Sequence, residues 1–218
     1  MSEITYQYIR DYLMAIEPDD DILIREIREE AIKDNVPIIK SEVKNLLRCI
    51  LLMQKPKNIL EIGTAVAYSS IIMSDCIGHD GKITTIERSD MMIKKAKLNI
   101  EKASKENSII LLEGDAGDIL KSLEGTYDMI FMDAAKGQYL TFLPDCLRLL
   151  KTGGLLISDN VLQNGTVAKS RFSVPRRQRT IHNRMRDYLW ELNHNPNLKT
   201  SILPIADGLT LSYKIDSK

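Results

Sequence analysis

Three oxygen-bearing side chains fall where they could act together. Asp133 follows the apolar run Tyr127–Met132, and Asp159-Asn160 follow Leu155-Leu-Ile-Ser158. Both runs read as buried strands, and in open parallel sheets ligands sit beyond the carboxyl ends of the strands. Two carboxylates and an amide carbonyl are hard donors. They suit Mg²⁺, with Ca²⁺ and Mn²⁺ as the other candidates, and leave coordination positions for water and substrate. A single Asp at a strand end is often only a helix cap; the pairing across two strand ends is the specific feature. Lys136, three residues beyond Asp133, is placed to be a general base, since a nearby divalent cation makes its proton easier to lose. The competing role is a surface lysine opening the next helix.

A second group surrounds Asn58-Ile-Leu-Glu-Ile-Gly-Thr-Ala-Val-Ala-Tyr-Ser69. An apolar run breaks at Gly63 into small residues and resumes as a helix. That is the opening of a nucleotide-binding α/β unit, with helix-start N–H groups aimed at a ligand. Only one of the three glycines of the dinucleotide fingerprint is present. Glu87 ends the next strand, Lys82–Glu87, at about the twenty-residue spacing that suits ribose hydroxyls. Glu61, inside the first strand, calls for a ligand or a cationic partner, because an unpaired buried carboxylate is costly. Gly114, Asp115 and Ala116 end the third strand and are placed to frame an adenine; Asp115 is equally a candidate helix cap.

Residues 169–186 carry Lys169, Arg171, Arg176, Arg177, Arg179, Arg184 and Arg186 and no acid. The whole chain has 30 Lys plus Arg against 30 Asp plus Glu, a formal net charge of zero. Overall charge therefore selects no polyanion partner, and the local excess does: phosphate of a nucleic acid or of a phosphorylated substrate. A solvated helix face is the plainer alternative. His182 and His194, in or after that helix, are expected to meet solvent or a cap.

These residues need elements to position them. Ile4, Tyr8, Tyr12 and Leu13 recur at helical spacing; Asp19-Asp20-Asp21 precede a helix over 22–34; Val36-Pro37 interrupts; Ser41 opens a helix to Gln54. From Asn58 strands alternate with helices: strands at 58–62, 82–87, 108–113, 127–132 and 154–159, helices near 67–77, 90–104, 115–123 and 138–150. That alternation predicts right-handed crossovers and a parallel sheet. A helix at about 176–194 precedes two strands, Lys199–Pro204 and Gly208–Ile215, with Asp207-Gly208 as the turn between them.

Glu61-Ile-Gly-Thr-x-x-x-Tyr-Ser69 with Ile86-Glu87 resembles the S-adenosylmethionine site of class I methyltransferases. More narrowly, it resembles the metal-dependent O-methyltransferase family that includes catechol and caffeoyl-CoA methyltransferases. Ala67 stands where that family usually has glycine. The resemblance implies a Rossmann-like α/β fold: a mostly parallel seven-stranded sheet with helices on both faces, an antiparallel C-terminal hairpin and an N-terminal helical extension. It implies one domain over 1–218, the extension being 1–54 and the core 55–218. It implies S-adenosylmethionine held by Val36, Glu61, Gly63, Tyr68, Ser69, Glu87, Gly114, Asp115, Ala116 and Asp133. Mg²⁺ would sit on Asp133, Asp159 and Asn160, and Lys136 would be the catalytic base. The segment at Val36-Pro37-Ile38 would close over the cofactor, and the first helices would contribute to a homodimer. Asp133-Ala-Ala-Lys-Gly-Gln-Tyr139 resembles the bacterial branch, since Gly137 replaces an acid usual in the catechol and caffeoyl-CoA enzymes. Within that branch the likeness includes Asp159-Asn-Val-Leu162 and the arginine run, and it is to enzymes that methylate 5-hydroxyuridine in tRNA. It implies a tRNA anticodon-loop partner, 5-methoxyuridine at the wobble position, and phosphate contacts from Arg171, Arg176, Arg177 and Arg179. The alternative acceptor is a catechol or caffeoyl-CoA-type small molecule.

The three cysteines, Cys49, Cys76 and Cys146, are scattered and odd in number. They read as buried free thiols of a reducing compartment. The first residues carry neither a basic head nor an apolar signal core, and no run approaches a membrane span. A cytoplasmic location without membrane contact is the expectation.

Overall fold

A computed structural model describes residues 4–216; Met1–Glu3 of the N-terminal stretch and the last two residues lie outside the described residues. The strands form one seven-stranded sheet in the order β3-β2-β1-β4-β5-β7-β6. The chain gathers into two compact units, Tyr12–Ser122, and Leu123 onward together with the residues before Tyr12.

In the first unit, α2 (Ile22–Lys33) and α3 (Ser41–Gln54) precede β1 (Asn58–Ile62), α4 (Tyr68–Cys76), β2 (Lys82–Glu87), α5 (Asp90–Lys102), β3 (Ile109–Glu113) and α6 (Ala116–Ser122). β1, β2 and β3 pair in parallel, Ile59 beside Ile83 and Ile83 beside Ile109. Tyr68–Ser74 of α4 are all buried, as expected of a helix with apolar or small residues on every side. α2 ends in a left-handed Asn35 (φ 55°), with Asn35 N–H donating to Ile32 O (3.1 Å) and Val36 N–H to Ala31 O (2.8 Å). This is the Schellman arrangement, and Asn is one of the few side chains at ease there. It leads the chain into Val36-Pro37, where proline keeps the helix from resuming.

Asp20 does not cap α2 through its side chain. Its carboxylate is instead buried against α3, 2.6 Å from Lys44 Nζ and 3.2 Å from Arg48. Lys44 is 1% exposed and also lies 2.7 Å from Glu17. A lysine is buried only when paired, and here two carboxylates pair it. Burial alone would raise the pKa of Glu17 and Asp20; hydrogen bonds and charge from Lys44 outweigh it and hold both below their ordinary values.

In the second unit, β4 (Tyr127–Met132), α7 (Tyr139–Leu149), β5 (Leu150–Ser158), α8 (Arg179–His194), β6 (Leu198–Leu203) and β7 (Leu209–Lys214) follow in order. β4 and β5 are parallel; β7 runs antiparallel to both β5 and β6. β5 starts four residues earlier than the sequence pattern suggested. Its first half, Lys151-Thr-Gly-Gly, lacks an apolar signature, and the register with β4 shifts between Tyr127 and Met129. The turn before β7 needs Gly208: at φ 90° an added Cβ would lie 2.4 Å from the Leu162 side chain and 2.7 Å from its backbone nitrogen. α1 (Gln7–Ala15) buries no residue; Tyr8, Tyr12 and Leu13, the residues at helical spacing, are exposed.

Replacing Lys44 with alanine leaves Glu17 and Asp20 buried without their ammonium partner, and costs about 3 kcal/mol at neutral pH. The two carboxylates are depressed in the folded state. Their contribution is therefore present above about pH 4.5, the ordinary value of Glu17, and lost as pH falls through the lowered values. Urea unfolding of Lys44→Ala at pH 7 and at pH 3.5 is expected to show a gap from wild type that narrows in acid.

Candidate active site

The turn after β1 is built by main-chain bonds to β2. Gly63 N–H and Thr64 N–H both donate to Ile86 O (3.1 and 3.2 Å). Gly63, Ala65 and Ala67 all have positive φ (104°, 47° and 64°), so the turn coils tightly before α4 begins. From α5, the Asn99 side-chain amide donates to Val66 O at 2.9 Å and steadies the loop. The first N–H groups of α4 have no intrahelical partner by geometry and face whatever approaches the turn.

Glu61 is fully buried and accepts from three hydroxyls: Ser69 Oγ (2.5 Å), Ser70 Oγ, and Thr85 Oγ1 (2.6 Å). The sequence pointed to a ligand or a cation for this carboxylate; the hydroxyl partners were not foreseen. Thr85 Oγ1 also lies 2.7 Å from Thr64 Oγ1. Thr85 has one proton and gives it to Glu61, so Thr64 is the donor in that bond, and the hydroxyls form a directed relay into the carboxylate. Parallel register sets Glu61 beside Thr85, which is why a threonine inside β2 mattered and passed unnoticed in the sequence.

Glu87 caps the turn from β2. Its Oε2 accepts from Ala65 N–H (2.9 Å) and its Oε1 from Arg88 and Ser89 N–H (both 2.9 Å). Gly114 N–H donates to Glu87 O at 2.8 Å. Asp115 accepts from Gly117 N–H at 2.8 Å and sits 3.3 Å from Arg88: it does cap α6, while its other oxygen stays at the surface. Tyr68 is 3% exposed; burial first, and the charge of Asp20 second, push its phenol up to about 12. Val36 is nearly buried at the end of its Schellman turn. Among the sequence candidates of this unit, Glu61, Gly63, Ser69 and Glu87 are tied together by these bonds.

The second group belongs to β4 and β5. Register pairs Met132 with Ser158, so Asp133 and Asp159 leave adjacent strands at the same level. Asp159 N–H donates to Met132 O at 3.0 Å. Asn160, at φ 61°, donates its side-chain amide to Asp133 Oδ1 (2.9 Å) and its backbone N–H to Asp159 Oδ1 (2.6 Å). Two buried residues unnoticed in the sequence brace the rim. The Tyr139 hydroxyl reaches Asp159 O (3.0 Å) and Met132 O (3.3 Å), and Tyr188 OH lies 2.6 Å from Ser158 Oγ.

Burial is the largest influence on both carboxylates and raises both pKa values. For Asp159 the charge of Asp133 adds to it, and Asp207 raises both further. Lys136, on the short 3₁₀ turn Lys136–Gln138, acts in the opposite sense on each. Two carboxylates crowded this way favour a shared cation, and the Asn160 amide, turned over, would add its oxygen. The donor set thus fits a divalent ion. Among the described residues no group of three His, Cys, Asp or Glu is gathered for a metal.

The basic run divides by role. Arg179 donates to Val174 O (3.2 Å) and Phe172 O (3.5 Å), Arg184 to Gly137 O (3.1 Å), and Arg186 to Val167 O and Lys169 O (both 3.4 Å). Arg171, Arg176 and Arg177 carry no hydrogen bond or ion pair among the described residues. His182 is not at the surface: it is 1% exposed and its Nε2 meets Lys169 O at 3.1 Å. His194 stacks on Trp190. Of the three thiols, only Cys146 is buried, Cys76 is half-buried and Cys49 is exposed. No helix among the described residues is long and apolar enough to cross a membrane.

A strand-turn-helix crossover with acids at neighbouring strand ends defines a Rossmann-like α/β architecture. The O-methyltransferase family model matches residues 14–215, and the chain belongs to that family. It is 30% identical over 98% of its length to caffeoyl-CoA O-methyltransferase 2 of Populus trichocarpa, covering 90% of that protein. A Staphylococcus aureus crystal structure provisionally named a caffeoyl-CoA O-methyltransferase is 36% identical over 95% of this chain and 98% of that one, with a TM-score of 0.84. The fold is shared too with an O-methyltransferase from Bacillus cereus in complex with SAH (TM-score 0.84, 22% identity, 95% and 97% covered).

Three substitutions test the turn. At Ala67, wholly buried, glycine would relieve about 1 kcal/mol of left-handed strain and lose about 0.8 kcal/mol of methyl burial. Ala67→Gly should therefore change thermal stability little, whereas the β-branched Ala67→Val should lower it markedly. Glu61→Gln turns an amide NH₂ toward hydroxyl donors and should cost about 1–3 kcal/mol, read by the same thermal unfolding.

Proposed function

We propose that this protein transfers a methyl group from S-adenosylmethionine to a hydroxyl oxygen of a Mg²⁺-chelating acceptor. The observation that carries the reading is the pair Asp133 and Asp159, side by side with raised pKa values and joined through Asn160. Family membership and SAH or SAM in complexes of same-fold enzymes support the methyl donor. The residues that would hold the donor are Val36, Glu61, Gly63, Tyr68, Ser69, Glu87, Gly114, Asp115 and Ala116. The small residues of the turn leave its backbone approachable, and Glu87 keeps lone pairs for ribose hydroxyls.

Asp133, Asp159 and Asn160 would hold Mg²⁺, which when bound lowers the pKa of a hydroxyl presented to it. Lys136 takes that proton. Tyr139 and Tyr188 keep the strand ends rigid, so the acceptor oxygen stays aligned, and most of the rate comes from positioning.

Two acceptors share the needed vicinal oxygens. The relatives' names favour a caffeoyl-CoA-type phenolic acceptor. The specific observation favouring 5-hydroxyuridine in the tRNA anticodon loop is the set of unpartnered arginines, with Gly137 where phenol-methylating relatives tend to have an acid. The 5-hydroxyl and 4-carbonyl of that base are neighbours, as the two oxygens of a catechol are. We also infer a homodimer through α1, whose Tyr8, Tyr12 and Met14 are exposed, as is Tyr6 just before it; exposed apolar side chains grouped in this way mark an interaction surface.

The test is methyl transfer from labelled S-adenosylmethionine to bulk tRNA of a strain lacking this protein, with a catechol in parallel. Label in tRNA that EDTA abolishes and that maps to 5-methoxyuridine is the expected result. Label only in catechol would move the acceptor to the phenolic class. Asp133→Ala should abolish transfer, and Lys136→Ala should lower kcat by about 10²–10⁴-fold.

A further inference from the structure

Phe172 is a large apolar side chain that the fold pushes outward. It is 84% exposed, on the 3₁₀ turn Arg171–Ser173. Disorder does not explain it, because the chain is anchored on both sides: Val167 and Val174 are buried at 3% and 4%. His182 and Arg186 bind Lys169 O from α8. The turn is closed from within, Ser173 Oγ and N–H both donating to Ser170 O (2.7 and 3.0 Å) and Ser170 Oγ accepting from Phe172 N–H. Arg179 fastens the turn through Phe172 O and Val174 O and sets its guanidinium 6.0 Å from the ring centroid. A ring displayed on so fixed a support is presented rather than merely left over.

Its neighbours indicate what it is presented to. Arg171 adjoins it, Arg176 and Arg177 follow on the next 3₁₀ turn, and none of the three has a partner among the described residues. Residues 169–186 contain no acid. An exposed aromatic face, with unpaired arginines beside it and a few residues on in the chain, is what an unstacked base and its phosphates require. We propose that Phe172 is the stacking platform for a base of single-stranded RNA, with Arg171, Arg176 and Arg177 on the flanking phosphates. Arg179 is a positioning residue, spending its donors on the turn that carries the ring. The proposal rests on the tRNA reading of the acceptor.

The experiment is fluorescence anisotropy of a short fluorescein-labelled single-stranded RNA against the full chain over a range of salt, with coenzyme A as a second probe. Phe172→Ala is expected to raise the RNA Kd about tenfold or more while leaving the salt slope and melting temperature as in wild type. Phe172→Trp should restore affinity. Arg176→Ala with Arg177→Ala should flatten the salt slope instead. If wild type binds and methylates tRNA but Phe172→Ala binds as tightly, the platform is overturned and the tRNA reading stands. If Phe172→Ala weakens only coenzyme A, the platform does not serve RNA and the proposal fails. If wild type shows no salt-dependent RNA binding while methylating a catechol, the tRNA reading fails and takes the platform with it.

Discussion

Buried negative charge is the constraint around which this protein is arranged, and the chain meets it in three ways. Glu17 and Asp20 are answered by charge: Lys44, almost without solvent contact, lies within 2.7 Å of both. Glu61 is answered by dipoles, three hydroxyls donating to one carboxylate. Asp133 and Asp159 are answered only in part. Lys136 and Asn160 act against burial and mutual repulsion, and the pKa values remain raised. The first two solutions are complete within the fold and serve its stability. The third leaves a demand for positive charge at the end of two strands, and such residual demand separates a site from a structural ion pair.

Strand boundaries were legible in the sequence wherever an apolar run ended in a chemical break. β1, β2 and β4 begin and end at the residues the pattern indicates, because Gly63, Glu87 and Asp133 terminate runs of Ile, Leu, Met and Phe. The amino half of β5 was hidden, since Lys151-Thr-Gly-Gly has the composition of a turn and falls where the register with β4 breaks, between Leu150 and Leu155. α1 was legible as a helix, but helical spacing of apolar residues shows a face, not what covers it.

The polar network shows the same limit. Lys44 lies on the buried stripe with Leu47 and Leu51 of α3, so its unusual position could be read from the chain. Its partners, in the connection after α1, are joined to it only by tertiary contact. Glu61 could be recognised as an anomaly inside an apolar strand, but the kind of partner could not, because hydroxyls at Ser69, Ser70 and Thr85 look ordinary one at a time. His182, on a helix full of arginine, reads as a surface residue until α8 is packed. The placing of Asp133 beside Asp159 and the turn after β1 were legible for the opposite reason: their geometry follows from strand ends, which sequence patterns locate well.

The bond from Arg184 to Gly137 O joins the helix of the basic run to the turn that carries Lys136. A Cβ at position 137 would lie 3.5 Å from the Arg184 guanidinium, an ordinary contact. An acidic side chain there would have room, and would meet that guanidinium as a counter-ion. In evolutionary terms, the charge of the basic run and the setting of Lys136 are then not independent traits. A lineage could add or remove a counter-ion for Arg184 by a change at this one position, with the strands, the turn after β1 and the paired strand-end acids all left as they are.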